Sequence, residues 1–402
     1  MPDMPTGQLI RLYRIDRKKS TVSVATHAGI TVRYLEMIEA GTKTPSLPVL
    51  RKLAKVLGVR TSALIGGEAP SEDHEGPVNP RLSDVERALY TYRSVSLSNR
   101  DDTPLELPNL AQRIKSAWDT WLVSPNKYTD TLSVLPSLIV DAESAVNAYE
   151  RSAGVCRQAS EVYQLARAVL KHAGRIDLVP FVCDRAMRYA EETGDPLLIG
   201  AATWYVGQSL LSNDMPQAAL DMGMVTAEKF ERLLSDGTPE HFYVYGSLLQ
   251  LAAIASVRTG DPWRARELLR GPARQAAQRI GEGKGYHHIF FGPTNVDIHR
   301  VSVELEAAEI SEALRMADEV DISKIAYSER QTAHLYQVAR CYECRNNDTA
   351  VFVHLKMAAK ICPQDFLYTR NARSMVSTLV KRAKPSYASE VREFASRIGL
   401  LD

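Results

Sequence analysis

Between Ser20 and Thr44 lie side chains whose types and spacing suit contact with a polyanion that also offers hydrogen-bonding edges. Val32, Arg33, Glu36 and Met37 recur at helical spacing on one side of a segment whose other side carries Leu35, Ile38 and the ring of Tyr34. Arg33 can give two parallel hydrogen bonds to a guanine edge, and Val32 can meet a thymine methyl, with Glu36 at the margin. Thr21 at a helix start, and Thr42, Lys43 and Thr44 just after the segment, offer hydroxyls and an ammonium to phosphates.

Two helices must hold these groups. Ser20 opens the first, over Ser20 to Ala28, with a hydroxyl cap, and Gly29 can take the left-handed geometry that ends it. Thr31 caps the second, at the edge of the contact face. Ala25, four residues before Gly29, is small enough for the two helices to cross closely, the geometry that presents a second helix to a DNA major groove. Around them a first helix, about Gly7 to Lys19, turns Leu9, Leu12 and Ile15 inward. Residues 47–58 and Ser62 to Ile65 complete five short helices.

This stretch resembles the Cro/C1-type repressor family, often called XRE. The resemblance is carried by Leu9, Leu12 and Arg14, then Ser20, Ala25 and Ala28-Gly29-Ile30-Thr31. It continues through Tyr34-Leu35-Glu36-Met37-Ile38-Glu39-Ala40-Gly41, Pro45-Ser46, Leu50, Leu53-Ala54 and Leu57-Gly58-Val59. The family usually has Gln after the capping Ser and an acid next. Here Thr21 and Val22 stand there, so one phosphate anchor is reduced to a hydroxyl. The resemblance implies duplex DNA as partner and a structural ion pair between Arg14 and Glu39, joining the first and third helices.

The charge distribution fits a basic head on a different body. Residues 1–66 hold eleven Lys and Arg against four acids, a net +7; the whole chain of 402 residues carries +1, which leaves −6 for the remainder. Gly66 to Pro77 is Gly, Pro and acid with almost nothing apolar, which reads as a flexible linker. The expected organisation is a DNA-binding domain over 1–66, a linker over 67–80 and a helical domain over 81–402. No run of about 18 apolar residues and no signal-like N-terminus is present, so a cytoplasmic chain with no membrane partner is expected.

From Leu82 onward strand signals are absent, and Ala, Leu, Arg and Glu recur at three- and four-residue spacing, so the fold class is all-α. Gly207 with Ala219, Ala253 with Ala265, Val301 with Ala313 and Val338 with Ala350 repeat a separation of twelve across turns between helices. This resembles degenerate tetratricopeptide repeats over roughly residues 155–400, an α-solenoid of helix pairs. Head and body together resemble the Rgg and PlcR type of peptide-sensing bacterial regulators, which implies quorum-type sensing. In paired-helix repeats the first helix of each pair lines the concave side, which puts Tyr205, Gln208, Gln250 and Asn295 near it, with His299 one turn beyond. Regulators of this architecture use Asn and similar side chains to hold a peptide backbone, and Phe290 to Thr294 would bring an aromatic loop to the same mouth.

No Gly-rich phosphate loop, catalytic carboxylate pair or nucleophile elbow is present, so an enzyme is not expected. Cys341-x-x-Cys344 sits within a helical run, Ala333 to Arg345, with no second pair, whereas a structural zinc normally takes four ligands. His287-His288 belongs to a polar loop, Gly281 to Gly292. No metal or cofactor is expected. The leading function is a homodimeric regulator of a palindromic operator, since one recognition helix reads too few base pairs alone, controlled by a small-molecule or peptide ligand in the body. Dimerisation is expected from the body. The alternative is a scaffold or antagonist whose body holds a partner protein and whose head targets it to DNA.

Overall fold

The computed structural model describes residues 6–17, 19–57, 64, 81–90, 107–283, 285–325 and 327–401. The head comprises α1 (Thr6–Asp16), α2 (Thr21–Ala28), α3 (Val32–Glu39) and α4 (Leu47–Leu57). The expected linker lies outside the described residues, as does the fifth head helix apart from Leu64.

Ser20 caps α2, its hydroxyl accepting from the Ser23 amide at 3.1 Å, and Gly29 ends the helix at φ 64°. Thr31 caps α3 in the same way, accepting from the Tyr34 amide at 3.2 Å. Ala25, Ala28, Leu35 and Ile38 are sealed in one core with Val24, Leu50, Leu53 and Leu57. The first helix departs from expectation. Leu9 and Leu12 are only half-buried and Ile15 is 56% exposed, while Ile10 takes the buried seat. Gly7 explains the rotation: a Cβ there would collide with the Ile38 carbonyl, so α1 meets α3 along Gly7, Ile10 and Arg14.

The body begins with α5 (Arg81–Leu89), α6 (Leu107–Val123), α7 (Lys127–Ala148), α8 (Ala153–His172) and α9 (Val179–Thr193). It continues through α10 (Pro196–Ser212), α11 (Pro216–Glu231), α12 (Pro239–Thr259), α13 (Pro262–Arg270) and α14 (Pro272–Ile280). Last come α15 (Pro293–Glu306), α16 (Ile310–Ala317), α17 (Ser328–Cys344), α18 (Asp348–Ile361), α19 (Asp365–Tyr368), α20 (Arg370–Arg382) and α21 (Ala388–Arg397). From α6 to α18 each helix packs on its sequence neighbour, while α5 packs on α7 and α18 on α20; α6, α8, α10, α12, α15 and α17 also pack in succession, as a solenoid of helix pairs requires. The twelve-residue spacings fall across the pairs α10/α11, α12/α13, α15/α16 and α17/α18. Ala219, Ala265 and Ala313 are fully buried there, while Ala350 is half-buried. Leu251 of α12 fills the space where a Gly207 side chain would stand.

The solenoid curls until its far end meets its first helices. Ser328 Oγ donates to the Leu122 carbonyl at 3.0 Å, and the buried Lys127 pairs with Asp365 at 2.8 Å. Tyr128, fully buried, donates to the same Asp365 at 3.1 Å. These bonds join residues more than two hundred positions apart and make α8, α10, α12, α15 and α17 surround a common interior. No helix among the described residues is long and apolar enough to cross a membrane.

Candidate nucleic-acid interface and inner face of the body

Arg33 and Glu36 stand exposed on α3, and Arg33 makes no hydrogen bond or ion pair among the described residues. Val32 and Met37 flank them but are half-buried, Val32 resting against the head core. Val32 therefore presents only part of its side chain outward. The opposite side of α3 is anchored by Leu35 and Ile38. It is held in rotation by Glu39, whose carboxylate accepts Arg14 Nε and Nη2, each at 2.7 Å. That pair holds the Arg14 guanidinium above its ordinary value, through the hydrogen bond to Glu39 first and its charge after it.

The loop after α3 is organised by one carbonyl. Met37 O accepts from the Thr42 amide at 2.9 Å, the Lys43 amide at 3.2 Å and the Thr42 hydroxyl at 3.0 Å, and Gly41 makes the turn at φ 75°. Thr42 thus spends its hydroxyl proton on the loop and has only lone pairs to offer outward. Lys43 and Thr44 are exposed, Thr21 is half-buried at the start of α2, and Thr31 is exposed with its hydroxyl engaged in capping. All nine candidate contact residues lie on α2, on α3 or in the loops flanking α3.

Of the body residues singled out, the structure draws Gln250, Asn295 and His299 into one bonded set. Asn295 Nδ2 donates to Gln250 Oε1 at 3.2 Å and to the Phe290 carbonyl, and the Asn295 carbonyl accepts from His299 Nδ1 at 2.8 Å. Tyr205 joins through the loop before α15, its hydroxyl donating to the His287 carbonyl at 3.2 Å. Gln208, one turn along α10, is half-buried and lies outside these bonds. Burial pushes the His299 ring down to about 3, helped by the charge of Arg330, so it is neutral at physiological pH.

The loop is less polar than its sequence suggests. His288 stacks on Trp118 at 3.8 Å between ring centres, Phe290 packs on Tyr327 at 4.1 Å, and Ile289 and Phe291 are buried. His287 and His288 both adopt positive φ, and their rings go to different partners, His287 Nδ1 lying 3.2 Å from Glu161. Cys341 is buried, its thiol pushed up to about 12 by that burial, whereas Cys344 is exposed. Among the described residues no group of three or more His, Cys, Asp and Glu could hold a metal.

Residues missed from sequence complete the inner face. Arg330 of α17 donates to Asn295 Oδ1 at 2.5 Å. Arg167 of α8 lies 5.2 Å from the Tyr205 ring centre and 5.9 Å from that of Trp204. Lys171 is one turn beyond Arg167. His172 meets Glu329 at 3.0 Å. The available signal was Arg167 and Lys171 at i, i+4 in the otherwise apolar stretch from Leu165 to Lys171, with a third basic residue, Arg330, at the start of another first-of-pair helix.

With this geometry in view, residues 10–64 match the family described as helix-turn-helix, and the N-terminal segment is a helix-turn-helix domain of the XRE type. The described residues from Arg81 onward form a helical solenoid-like domain. An immunity repressor protein of Bacillus phage phi105 is 33% identical over 78 residues, 19% of this chain and 54% of that relative, so the match spans about half the relative's length. The apo form of the competence regulator ComR from Streptococcus vestibularis aligns over 75% of this chain and 97% of its own. Its identity is 15% and its TM-score 0.25, a score too low to carry an argument about shared arrangement.

Proposed function

We propose that this chain is a transcriptional regulator that binds duplex DNA as a homodimer, with operator affinity set by a ligand on the inner face of the body. The observation that carries the reading is α3 itself: Arg33 and Glu36 face outward while Leu35, Ile38 and the Arg14–Glu39 pair fix the helix from behind. A rigid helix with a polar outer edge and a basic loop beside it suits major-groove reading, and a relative named as a repressor supports a regulatory role. One such helix reads too few base pairs for a genomic search, which favours two copies on a palindrome.

Ligand control is supported by the position of α12. Gln250 of α12 belongs to the inner bonded set, and Arg258, two turns on, donates to Glu306 at 2.7 and 2.6 Å and to the Leu211 carbonyl at 3.0 Å. Near it Arg51 of α4 approaches Asp214 at 3.6 Å, and α4 packs on α12. One helix therefore touches both the candidate ligand face and the head, the physical continuity that coupling needs. The test is selection of bound sequences from random duplexes by the full chain, followed by light scattering of the selected complex. A palindromic site bound by two copies supports the reading; binding without sequence preference, or by one copy, overturns it.

A further inference from the structure

The charges on the inner face do not balance. Three other shielded cations of the body have their own carboxylate: Lys127 with Asp365 at 2.8 Å, Arg258 with Glu306 at 2.6 Å and Arg266 with Glu304 at 2.6 Å. Arg167, Lys171 and Arg330 form no ion pair among the described residues, and the one carboxylate in their midst is Glu329. Arg167 is only 5% exposed, yet its Nε and Nη2 have no hydrogen-bond partner, and the same holds for Arg330 Nε and Gln250 Nε2. Buried donors without acceptors are costly, and buried cations without a counter-charge more so. These come from α8, α12 and α17 and share one interior, so a single bound group could satisfy them together.

The neighbouring surface is aromatic. Tyr205 lies under Arg167, and Phe290 and Tyr327 pack beside the Asn295–Arg330 bond. The side chains there are not sealed by protein: those of His172 and Glu329 retain 22% and 24% of their surface. The cations bear the mark of this crowding. Burial, then the charge of Arg167, brings the Lys171 ammonium down to about 7, with Glu329 opposing and Arg330 and Arg258 adding to the fall. The Asn295 amide, by contrast, is already engaged at both ends, so what the site lacks is negative charge rather than peptide-like partners.

We infer that the inner face binds a small organic carboxylate, its anionic end on Arg167, Lys171 and Arg330 and its apolar part against Tyr205, Phe290 and Tyr327. The inference deepens the ligand-controlled reading and takes its biological sense from it. Arginine and lysine together suit this ligand: a guanidinium gives a carboxylate two parallel bonds, and the ammonium supplies a point charge. The apolar part of the ligand would gain from excluding water at the aromatic surface.

The test is thermal unfolding of the full chain with sodium benzoate, with benzamide and with inorganic phosphate, at one ionic strength. Benzoate is expected to raise Tm by a few degrees at millimolar concentration and the neutral isostere benzamide not to. Lys171→Met and Arg167→Met should each raise Tm without ligand, because one of the crowded, mutually repelling cations is removed, and each should abolish the increment from benzoate. Because these variants are expected to be more stable, loss of the increment cannot be put down to misfolding. Equal shifts with benzoate and benzamide, or an increment that survives both substitutions, overturns the inference. Phosphate matching benzoate overturns the aromatic half of the site and assigns it to an inorganic anion. Operator titration with and without benzoate is read separately: unchanged affinity beside a raised Tm leaves the carboxylate site standing and counts against ligand control.

Discussion

Arg14 and Glu39, twenty-five residues apart, close a two-bond bridge between the first and third helices of the head, with Glu39 all but buried. The bridge sets the rotation of α3 and hence which side chains face outward. Glu39→Ala leaves the Arg14 charge shielded and unpaired, at a cost of about 3–5 kcal/mol to the head. Hydrogen exchange of the Leu35 and Ile38 amides in the full chain checks this: protection should collapse in the variant, and unchanged protection would count against it.

Arg33→Ala should weaken binding to a selected operator by about 1–3 kcal/mol and relax preference at one position in each half-site, as loss of a bidentate base contact does. Repeating the sequence selection with the variant reads both effects. An identical consensus from variant and parent would assign Arg33 to phosphate.

Lys43 stands exposed at the end of a loop gathered on the Met37 carbonyl. Lys43→Ala should lower affinity for every sequence alike and reduce the slope of log affinity against log salt by about one. Titrations at four salt concentrations give the slope, and an unaltered value removes Lys43 from the backbone contacts.

The depressed Lys171 ammonium makes two pH effects. Its folded value, about 7, lies below its ordinary unfolded value, so between the two the unfolded chain holds the extra proton and stability rises with pH from about 7 toward 10. Lys171→Met should flatten that rise, read as the difference between the two Tm profiles. A carboxylate binds the charged form, so it should bind more tightly below pH 7 and take up a proton on binding near neutrality. Calorimetry in two buffers of different ionisation enthalpy detects that proton. The groups acting on Lys171 are Arg167 on its own helix, Glu329 and Arg330 on α17 and Arg258 on α12.

Asn295 ties Gln250, the Phe290 carbonyl and Arg330 together. Asn295→Ala should leave ligand-free operator binding intact and abolish the ligand's effect on it, since the head is untouched while the link between loop, α12 and α17 is cut. A full response in the variant would exclude Asn295 from the coupling.

The head was legible in the sequence because its determinants are local. A cap at Ser20, a left-handed Gly29, a second cap at Thr31 and helical periodicity act within a few residues, so α2, the turn and α3 follow from the chain directly. Periodicity did not settle which side of α1 is buried, because Gly7 decides it through the backbone of α3, which is distant in sequence. In the body, twelve-residue spacing located the helix pairs, and three of the residues it pointed to, Gln250, Asn295 and His299, meet in one bonded set. It could not find the excess of charge within. That excess exists only because the solenoid closes, through Lys127–Asp365 and Ser328–Leu122, and brings α8 against α17 across more than 150 residues of chain. Helical spacing specifies one face of one helix at a time, and the tertiary fold alone decides which faces share an interior and whether their charges find partners.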